Sequence, residues 1–144
     1  MTTGVGAFDK TIEKTNVWLA ELEATMNWED KSKAYTALRA VLHALRDRLP
    51  PDETVHLGAQ LPMLIRGFFY EGWHPADKPL RYRHKGEFLE RARKEAPWLH
   101  GEELELAVTT VFEILSRELG GEEPAQVRRL LPAELRELWP QAGL

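Results

Sequence analysis

Residues 34–49, AYTALRAVLHALRDRL, carry the pattern that decides the fold class. Apolar side chains recur there every three or four residues, which is the spacing of one face of an α-helix. They are Ala34, Leu38, Val41, Leu42, Leu45 and Leu49. Pro50 and Pro51 follow directly, and proline ends a helix because it has no amide hydrogen and its ring clashes with the preceding turn. The stretch therefore predicts a long amphipathic helix with one buried side.

The same pattern returns 70 positions later in the chain. When residues 16–69 are laid over residues 86–139 without a gap, ten of the 54 positions are identical. The identical pairs are Leu19/Leu89, Trp28/Trp98, Ala37/Ala107, Val41/Val111, Leu45/Leu115, Leu49/Leu119, Glu53/Glu123, Leu61/Leu131, Pro62/Pro132 and Arg66/Arg136. Many of them fall at helical spacing, so we interpret the match as an internal duplication.

The duplication predicts an all-α fold of two tandem, pseudo-symmetric helical repeats with about four helices each. We expect no sheet, because no stretch sustains an apolar/polar alternation of period two. The first repeat is placed at residues 8–73, a linker with two prolines at 74–84, and the second repeat at 85–140. We expect one compact, bundle-like unit, with Asp9 as the N-cap of its first helix.

Composition narrows the class of protein. The chain has 144 residues, a net charge of −4 and no cysteine, which excludes disulfides and thiolate chemistry. No apolar run approaches the length of a membrane-spanning helix, and residues 1–8 lack the pattern of a signal peptide. We expect a cytoplasmic protein without a membrane partner.

Several segments taken together resemble the DUF2267 family. They are residues 40–49 (AVLHALRDRL), 60–66 (QLPMLIR) and 72–73 (GW), with 110–115 (TVFEIL) and 131–136 (LPAELR) in the second copy. The resemblance covers about residues 8–140 and implies an all-α bacterial protein, without catalytic residues to carry over. The second copy ends at Leu138-Trp139-Pro140 and lacks the Phe-Phe-Tyr run of residues 68–70.

Residues 59–73, AQLPMLIRGFFYEGW, hold the candidate ligand or partner surface. Its members are Arg66, Tyr70 and Trp73, with Arg136 as the counterpart of Arg66 in the second copy. Glu53 and Glu123 precede the two arginines by the same interval. We therefore expect each arginine to bridge within its own half, either to that glutamate or to carbonyl oxygens at a helix end, since its planar group can hold two acceptors.

Motifs for catalysis or metal binding are not evident. No histidine pairs with another histidine, or with glutamate in an H-E-x-x-H arrangement, and we expect no Glu-x-x-His pair at the inward positions. The sequence therefore predicts no catalytic residue, no metal site and no cofactor.

Residues 77–95 form the one segment with a local excess of positive charge, although four acids interrupt it. Its basic residues are Lys78, Arg81, Arg83, Lys85, Arg91, Arg93 and Lys94. A solvated surface explains such a segment, and a small nucleic-acid contact is the alternative.

Three classes of function stay open. The leading one is a non-enzymatic protein-interaction or regulatory module, with an unknown protein partner or with a second copy of the chain. The alternative is a nucleic-acid-associated protein that uses the basic stretch at 78–94. The third is an enzyme or small-ligand binder with a pocket between the repeats near Arg66 and Tyr70.

Overall fold

The protein is all-α. Its computed structural model describes residues 2–140, and within them no strand occurs. The helices are α1 (Gly6–Met26), α2 (Lys31–Arg48), α3 (Pro51–Gln60), α4 (Met63–Tyr70), α5 (Lys85–Glu95), α6 (Gly101–Glu118), α7 (Glu123–Leu130) and α8 (Ala133–Arg136), with a short 3₁₀ turn at Pro75–Asp77. None of the helices in the described range is long and apolar enough to cross a membrane.

Helix α1 begins earlier than the sequence suggests. Its N-cap is Val5 and not Asp9, so the prediction for Asp9 is wrong. The Asp9 carboxylate instead accepts a hydrogen bond from the Thr3 amide at 2.7 Å and ties the preceding residues to the first turn. Helix α1 ends at Asn27, whose left-handed backbone (φ 59°) allows the amide of Trp28 to bond back to the carbonyl of Glu23.

Helix α2 is the central element. Asp30 caps its start by accepting from the amides of Ser32 and Lys33, and the chain leaves the helix at Leu49, before Pro50. The helix packs against α1, α4, α5 and α6. Four of its apolar side chains, at Leu38, Val41, Leu42 and Leu45, are completely buried. The apolar face predicted for residues 34–49 therefore lies at the centre of the hydrophobic core.

One continuous hydrophobic core receives side chains from all of α1–α8. Helices α2 and α6 have 18 residues each, and their first and last residues lie 70 positions apart. Helix α3 contacts α7, and α5 contacts α8. The helix order thus agrees with the 70-residue shift, while the duplication itself and the boundaries at 8–73, 74–84 and 85–140 stay predictions.

The segment between α4 and α5 lies against the end of α2. The amide of Leu80 donates to the carbonyl of Asp47 at 2.9 Å, and Arg48 Nε donates to the carbonyl of Tyr82 at 2.8 Å. These bonds fix the segment, so it positions α5 beside α2.

Candidate functional site

Two buried glutamates meet where α3 contacts α7. Glu53 lies in the first turn of α3 and Glu123 begins α7, and the two positions are equivalent in the 70-residue shift. Their side chains are only 6% and 2% exposed. The positive end of a helix dipole favours an acid in a first turn. Two carboxylates buried together still repel each other, so the pair needs a shared proton or a cation.

His56 and Gln126 complete this carboxylate cluster, and they too are equivalent positions in the shift. Gln126 Nε2 donates to Glu53 Oε1 at 2.7 Å. His56 Nδ1 lies 2.7 Å from Glu123 Oε1 and 3.4 Å from Glu53 Oε2. The short contact between His56 and Glu123 does not have the direction of a hydrogen bond. Among residues 2–140 no nitrogen or hydroxyl group donates a hydrogen bond to either oxygen of Glu123, so Glu53 is its partner through a shared proton.

The pKa values of the cluster shift in opposite directions. Burial, together with the neighbouring Glu53, raises the pKa of Glu123 to about 7, although His56 opposes the shift. Burial also raises the pKa of Glu53, but hydrogen bonds with Glu123, Gln126 and His56 outweigh it and hold that pKa below its usual value. A hydrogen bond with Glu53 and the charge of Glu123 raise the pKa of His56. The two carboxyl groups therefore titrate as a pair that shares one proton.

The carboxylate cluster also has the composition of a metal-binding site. One oxygen from each of Glu53 and Glu123 and one ring nitrogen of His56 all lie within 4.8 Å of one another. Glu53-Thr54-Val55-His56 is a Glu-x-x-His pair of which Glu53 is buried and His56 is 54% exposed, so only its glutamate lies at an inward position. The signal was present in the sequence as a polar residue three positions after each of the two repeated glutamates.

Arg66 and Arg136 bind backbone carbonyls. Arg66 donates from Nε to Gly58 O at 2.8 Å and from Nη2 to Leu61 O at 2.9 Å, at the end of α3. Arg136 Nη1 donates to Leu131 O at 2.8 Å, at the end of α7. Within residues 2–140 neither arginine forms a salt bridge with the glutamate of its own half, because both glutamates turn toward each other. The bridge to glutamate is therefore not the arrangement that forms.

Tyr70 and Trp73 pack beside α3. The Tyr70 ring lies so close to Gly58 that a Cβ there would stand 2.6 Å from Tyr70 Cζ. The Tyr70 hydroxyl donates to Val55 O at 3.4 Å, and the rings of Tyr70 and Trp73 are 5.5 Å apart. Trp73 Nε1 is buried without a hydrogen-bond partner in the described range. Tyr70 and Arg66 thus both contact Gly58 and hold α4 to α3.

His43 and Arg46, two residues of the segment 40–49, cap the end of α4. His43 Nε2 lies 2.6 Å from the carbonyl of Phe68, and its Nδ1 lies 2.8 Å from Glu95 Oε2. Arg46 Nη1 donates to the carbonyls of Phe69 and Glu71 at 2.8 and 2.7 Å. The last carbonyls of a helix have no partner within the helix, so two side chains of α2 satisfy them.

The predicted basic stretch at 78–94 is partly neutralised. Arg91 lies 4.0 Å from Asp47, Arg93 lies 3.5 Å from Glu90, and Lys85 lies 3.6 Å from Glu105. The remaining basic residues form no salt bridge within residues 2–140. They are Lys78, Arg81, Arg83 and Lys94. Lys and Arg bind nucleic acid chiefly by neutralising its phosphates. The nucleic-acid contact on this stretch stays a prediction.

An apolar groove of about 890 Å³ runs between α1 and α4. Its walls include Phe8, Ile12, Leu19, Met63, Leu64 and Phe68. Phe8 is 50% exposed, and Met63 and Leu64 are each more than 40% exposed. Thr11 Oγ1 accepts from the Leu64 amide at 2.8 Å and holds the two walls together. We call this feature the α1–α4 groove.

A smaller cleft of about 420 Å³ lies beside Arg66. Lys14, Gln60 and Glu118 also line it, whereas Tyr70 is not part of its wall. The guanidinium of Arg66 already binds backbone carbonyls there. The pocket expected near Arg66 and Tyr70 therefore does not bring these two side chains onto one surface.

Comparison with known families identifies the chain. Residues 15–138 match the family of uncharacterized conserved proteins called DUF2267. The match covers most of the chain, so the protein belongs to this family, as its motifs indicated. No curated protein matches the chain.

Proposed function

We propose that this member of the DUF2267 family is a non-enzymatic interaction module that associates with a second copy of itself through the α1–α4 groove. The observation that carries the proposal is the set of large apolar side chains exposed along the groove. They are Phe8, Tyr35, Met63 and Leu64, each between 38% and 50% exposed. Contiguous exposed apolar surface on a folded protein is typical of a docking site.

The chain itself carries a helix that suits the groove. Phe8 and Ile12 are spaced i and i+4 in the first turns of α1, so they lie on one face, as do the anchors of a helix that binds in an apolar groove. The same residues form one wall of the groove. A two-fold axis could therefore place α1 of each copy in the groove of the other, so that the two patches bury each other.

The extension of α1 is specific to the first half of the chain. Helix α5 begins at Lys85, which is equivalent to Thr15, whereas α1 begins at Gly6. The turns that carry Phe8 and Ile12 thus have no helical counterpart before α5. A protein that needed α1 only for its own core would not require them, because the buried apolar side chains of α1 begin at Trp18.

The test is the mass of the protein in solution as a function of concentration. We expect the wild type to form dimers by sedimentation or light scattering, and Phe8→Asp to remain monomeric because a buried carboxylate would lack a partner. Val17→Asp is the matched control, since Val17 is 48% exposed on the same helix and does not line the groove. A monomeric wild type, or a Phe8→Asp variant that dimerises normally with an unchanged circular dichroism spectrum, would refute the proposal.

The absence of native cysteine allows a second, geometric test. Ile12→Cys should form a disulfide-linked dimer under mild oxidation, because an antiparallel α1 pair brings the two positions near the symmetry axis and a disulfide needs closely spaced Cβ atoms. Val17→Cys should not. Equal cross-linking of the two variants would contradict the α1–α1 contact.

A further inference from the structure

We propose that Glu53, His56 and Glu123 form a binding site for one zinc-like divalent cation that joins α3 to α7. The proposal is independent of the α1–α4 groove. It assigns the carboxylate cluster a ligand and predicts that the ligand links the first half of the chain to the second.

Glu123 provides the first argument. Its side chain is 2% exposed, and no nitrogen or hydroxyl group among residues 2–140 donates a hydrogen bond to either oxygen. A buried carboxylate is costly unless it is protonated, paired or bound to a metal, and a divalent cation would take the place of the proton shared with Glu53. The oxygens point to the space shared with His56 Nδ1 and Glu53, and the nearest approach is 2.7 Å to His56.

The donor atoms provide the second argument. Two carboxylate oxygens and one imidazole nitrogen within 4.8 Å of one another are suitable ligands for zinc and similar transition metals. Zinc ligands about 2.0–2.2 Å from the metal lie roughly 3.4 Å apart in a tetrahedron. The His56–Glu53 distance is already 3.4 Å. His56 is 54% exposed, so its ring can move to separate it from Glu123 and open the metal position.

The surroundings indicate the type of cation. Magnesium and calcium bind six or more oxygen atoms, including several waters or carbonyls, and rarely use imidazole. The cluster offers three ligands, and since the His56 side chain is 54% exposed, water can supply a fourth. Gln126 donates to Glu53 Oε1, which leaves Oε2 directed toward His56. Gln126 is thus a positioning residue for this carboxylate.

The experiment compares metal binding in a matched set of variants. Protein stripped with a chelator is titrated with ZnCl₂ by calorimetry at neutral pH, and its thermal unfolding is followed with and without zinc. We expect one zinc per chain and a rise of several degrees in the unfolding midpoint, since a ligand that binds only the folded state stabilises it. His56→Ala should abolish both effects, and Gln126→Leu should weaken zinc affinity about 10–100-fold.

His100→Ala is the control for zinc bound nonspecifically to a surface histidine, because His100 is exposed and lies outside the cluster. It should bind zinc like the wild type. His56→Ala is the decisive variant, since His56 is a surface side chain whose removal leaves the core intact. Absence of zinc binding in the wild type, or binding that persists in His56→Ala, would overturn the proposal. An equal thermal shift with MgCl₂ would also overturn the assignment to a zinc-like ion.

Discussion

The last helix of each half is held in a different way, although the residues around the two helices occupy equivalent positions. Two polar side chains of α2 hold α4: His43 and Arg46 hydrogen-bond to the carbonyls of Phe68, Phe69 and Glu71. Aromatic packing holds the end of α8. The ring of Trp139 stacks on Phe112 with centroids 4.5 Å apart, and its Nε1 donates to Ser116 Oγ at 3.0 Å.

The difference shows that the two halves share the buried apolar positions of their long helices but not the side chains that contact the helix ends. The 70-residue shift pairs His43 with Glu113 and Arg46 with Ser116, so neither capping side chain has a counterpart on α6, and Arg128 of α7 donates to the carbonyl of Trp139 at 3.3 Å instead. Trp139 is equivalent to Phe69 and fills the space with its larger ring. The apolar frame of α2 and α6 is shared, whereas the contacts at the helix ends have diverged.

The largest expected effect tests the aromatic end of α8. Phe112 is fully buried and contacts both Trp139 and Phe88. We expect Phe112→Ala to lower the free energy of unfolding by about 3–5 kcal/mol, because the lost contacts leave a cavity. Urea unfolding measures the change, and Leu106→Ala, at a 46% exposed position of the same helix, should cost less than about 0.5 kcal/mol. A similar cost for both variants would mean that stacking on Phe112 does not hold this end of the molecule.

The next effect compares the two equivalent capping positions directly. Arg46→Met keeps the length of the side chain but leaves the carbonyls of Phe69 and Glu71 without their donor, and we expect a loss of about 2–4 kcal/mol. Ser116→Ala removes one acceptor, that of Trp139 Nε1, and should cost about 1 kcal/mol. Equal losses in urea unfolding would show that the two ends are held by the same kind of interaction after all.

The two halves also differ at position 58, where Gly58 of α3 lies against the Tyr70 ring. Arg128 occupies the equivalent position in the second half, where no residue corresponds to the Tyr70 ring within α8. We expect Gly58→Ala to destabilise the protein by about 1–2 kcal/mol, because the new methyl group collides with that ring. Gly86→Ala is the matched control, since no atom lies within 4 Å of the new Cβ, and it should stabilise helix α5 by about 0.5–1 kcal/mol. Thermal unfolding of the two variants should therefore shift in opposite directions.

The fold was predictable because it rests on periodicity. The apolar positions of α2, the prolines after it and the 70-residue shift together predict an all-α protein and the place of its central helix. Propensity is less informative at helix ends, where alternative caps differ by only about 1 kcal/mol. Asp9 was for this reason misread as an N-cap, although Val5 occupies that position.

The candidate sites were harder to predict because each depends on contacts between distant residues. The equal interval in the two copies suggested Glu53 as one possible partner of Arg66, beside carbonyl oxygens at a helix end. Glu53 instead meets Gln126 and Glu123 across the contact between α3 and α7. Identity of two positions in a repeat does not show that they touch. Only the packing of the halves reveals that two repeated glutamates face each other.

The smallest expected effect concerns the ties between the first and last helices of each half. Thr11 of α1 accepts from the Leu64 amide in the first half. In the second half the exposed Glu134 of α8 accepts from the Lys85 amide at 3.0 Å and from His84 Nδ1 at 2.9 Å. A hydroxyl accepts at any ordinary pH, whereas the contact between His84 and Glu134 depends on charge. Only the second tie should therefore respond to pH.

The direction of this pH dependence follows from the partners. The hydrogen bond with Glu134 and its negative charge raise the pKa of His84 above its usual value of 6.5. The tie to His84 therefore stabilises the fold fully below pH 6.5 and is lost as the pH rises through the raised pKa. The hydrogen bond from His84 lowers the pKa of Glu134, so the same stabilisation is also lost as the pH falls below 4.5 through that lowered pKa.

We expect His84→Gln to lower the unfolding midpoint slightly near pH 6 and to match the wild type at alkaline pH. Thr11→Val should lower the midpoint by the same amount at both pH values, because it removes an acceptor that carries no charge. A His84→Gln difference that is independent of pH would show that the tie between α5 and α8 is not electrostatic.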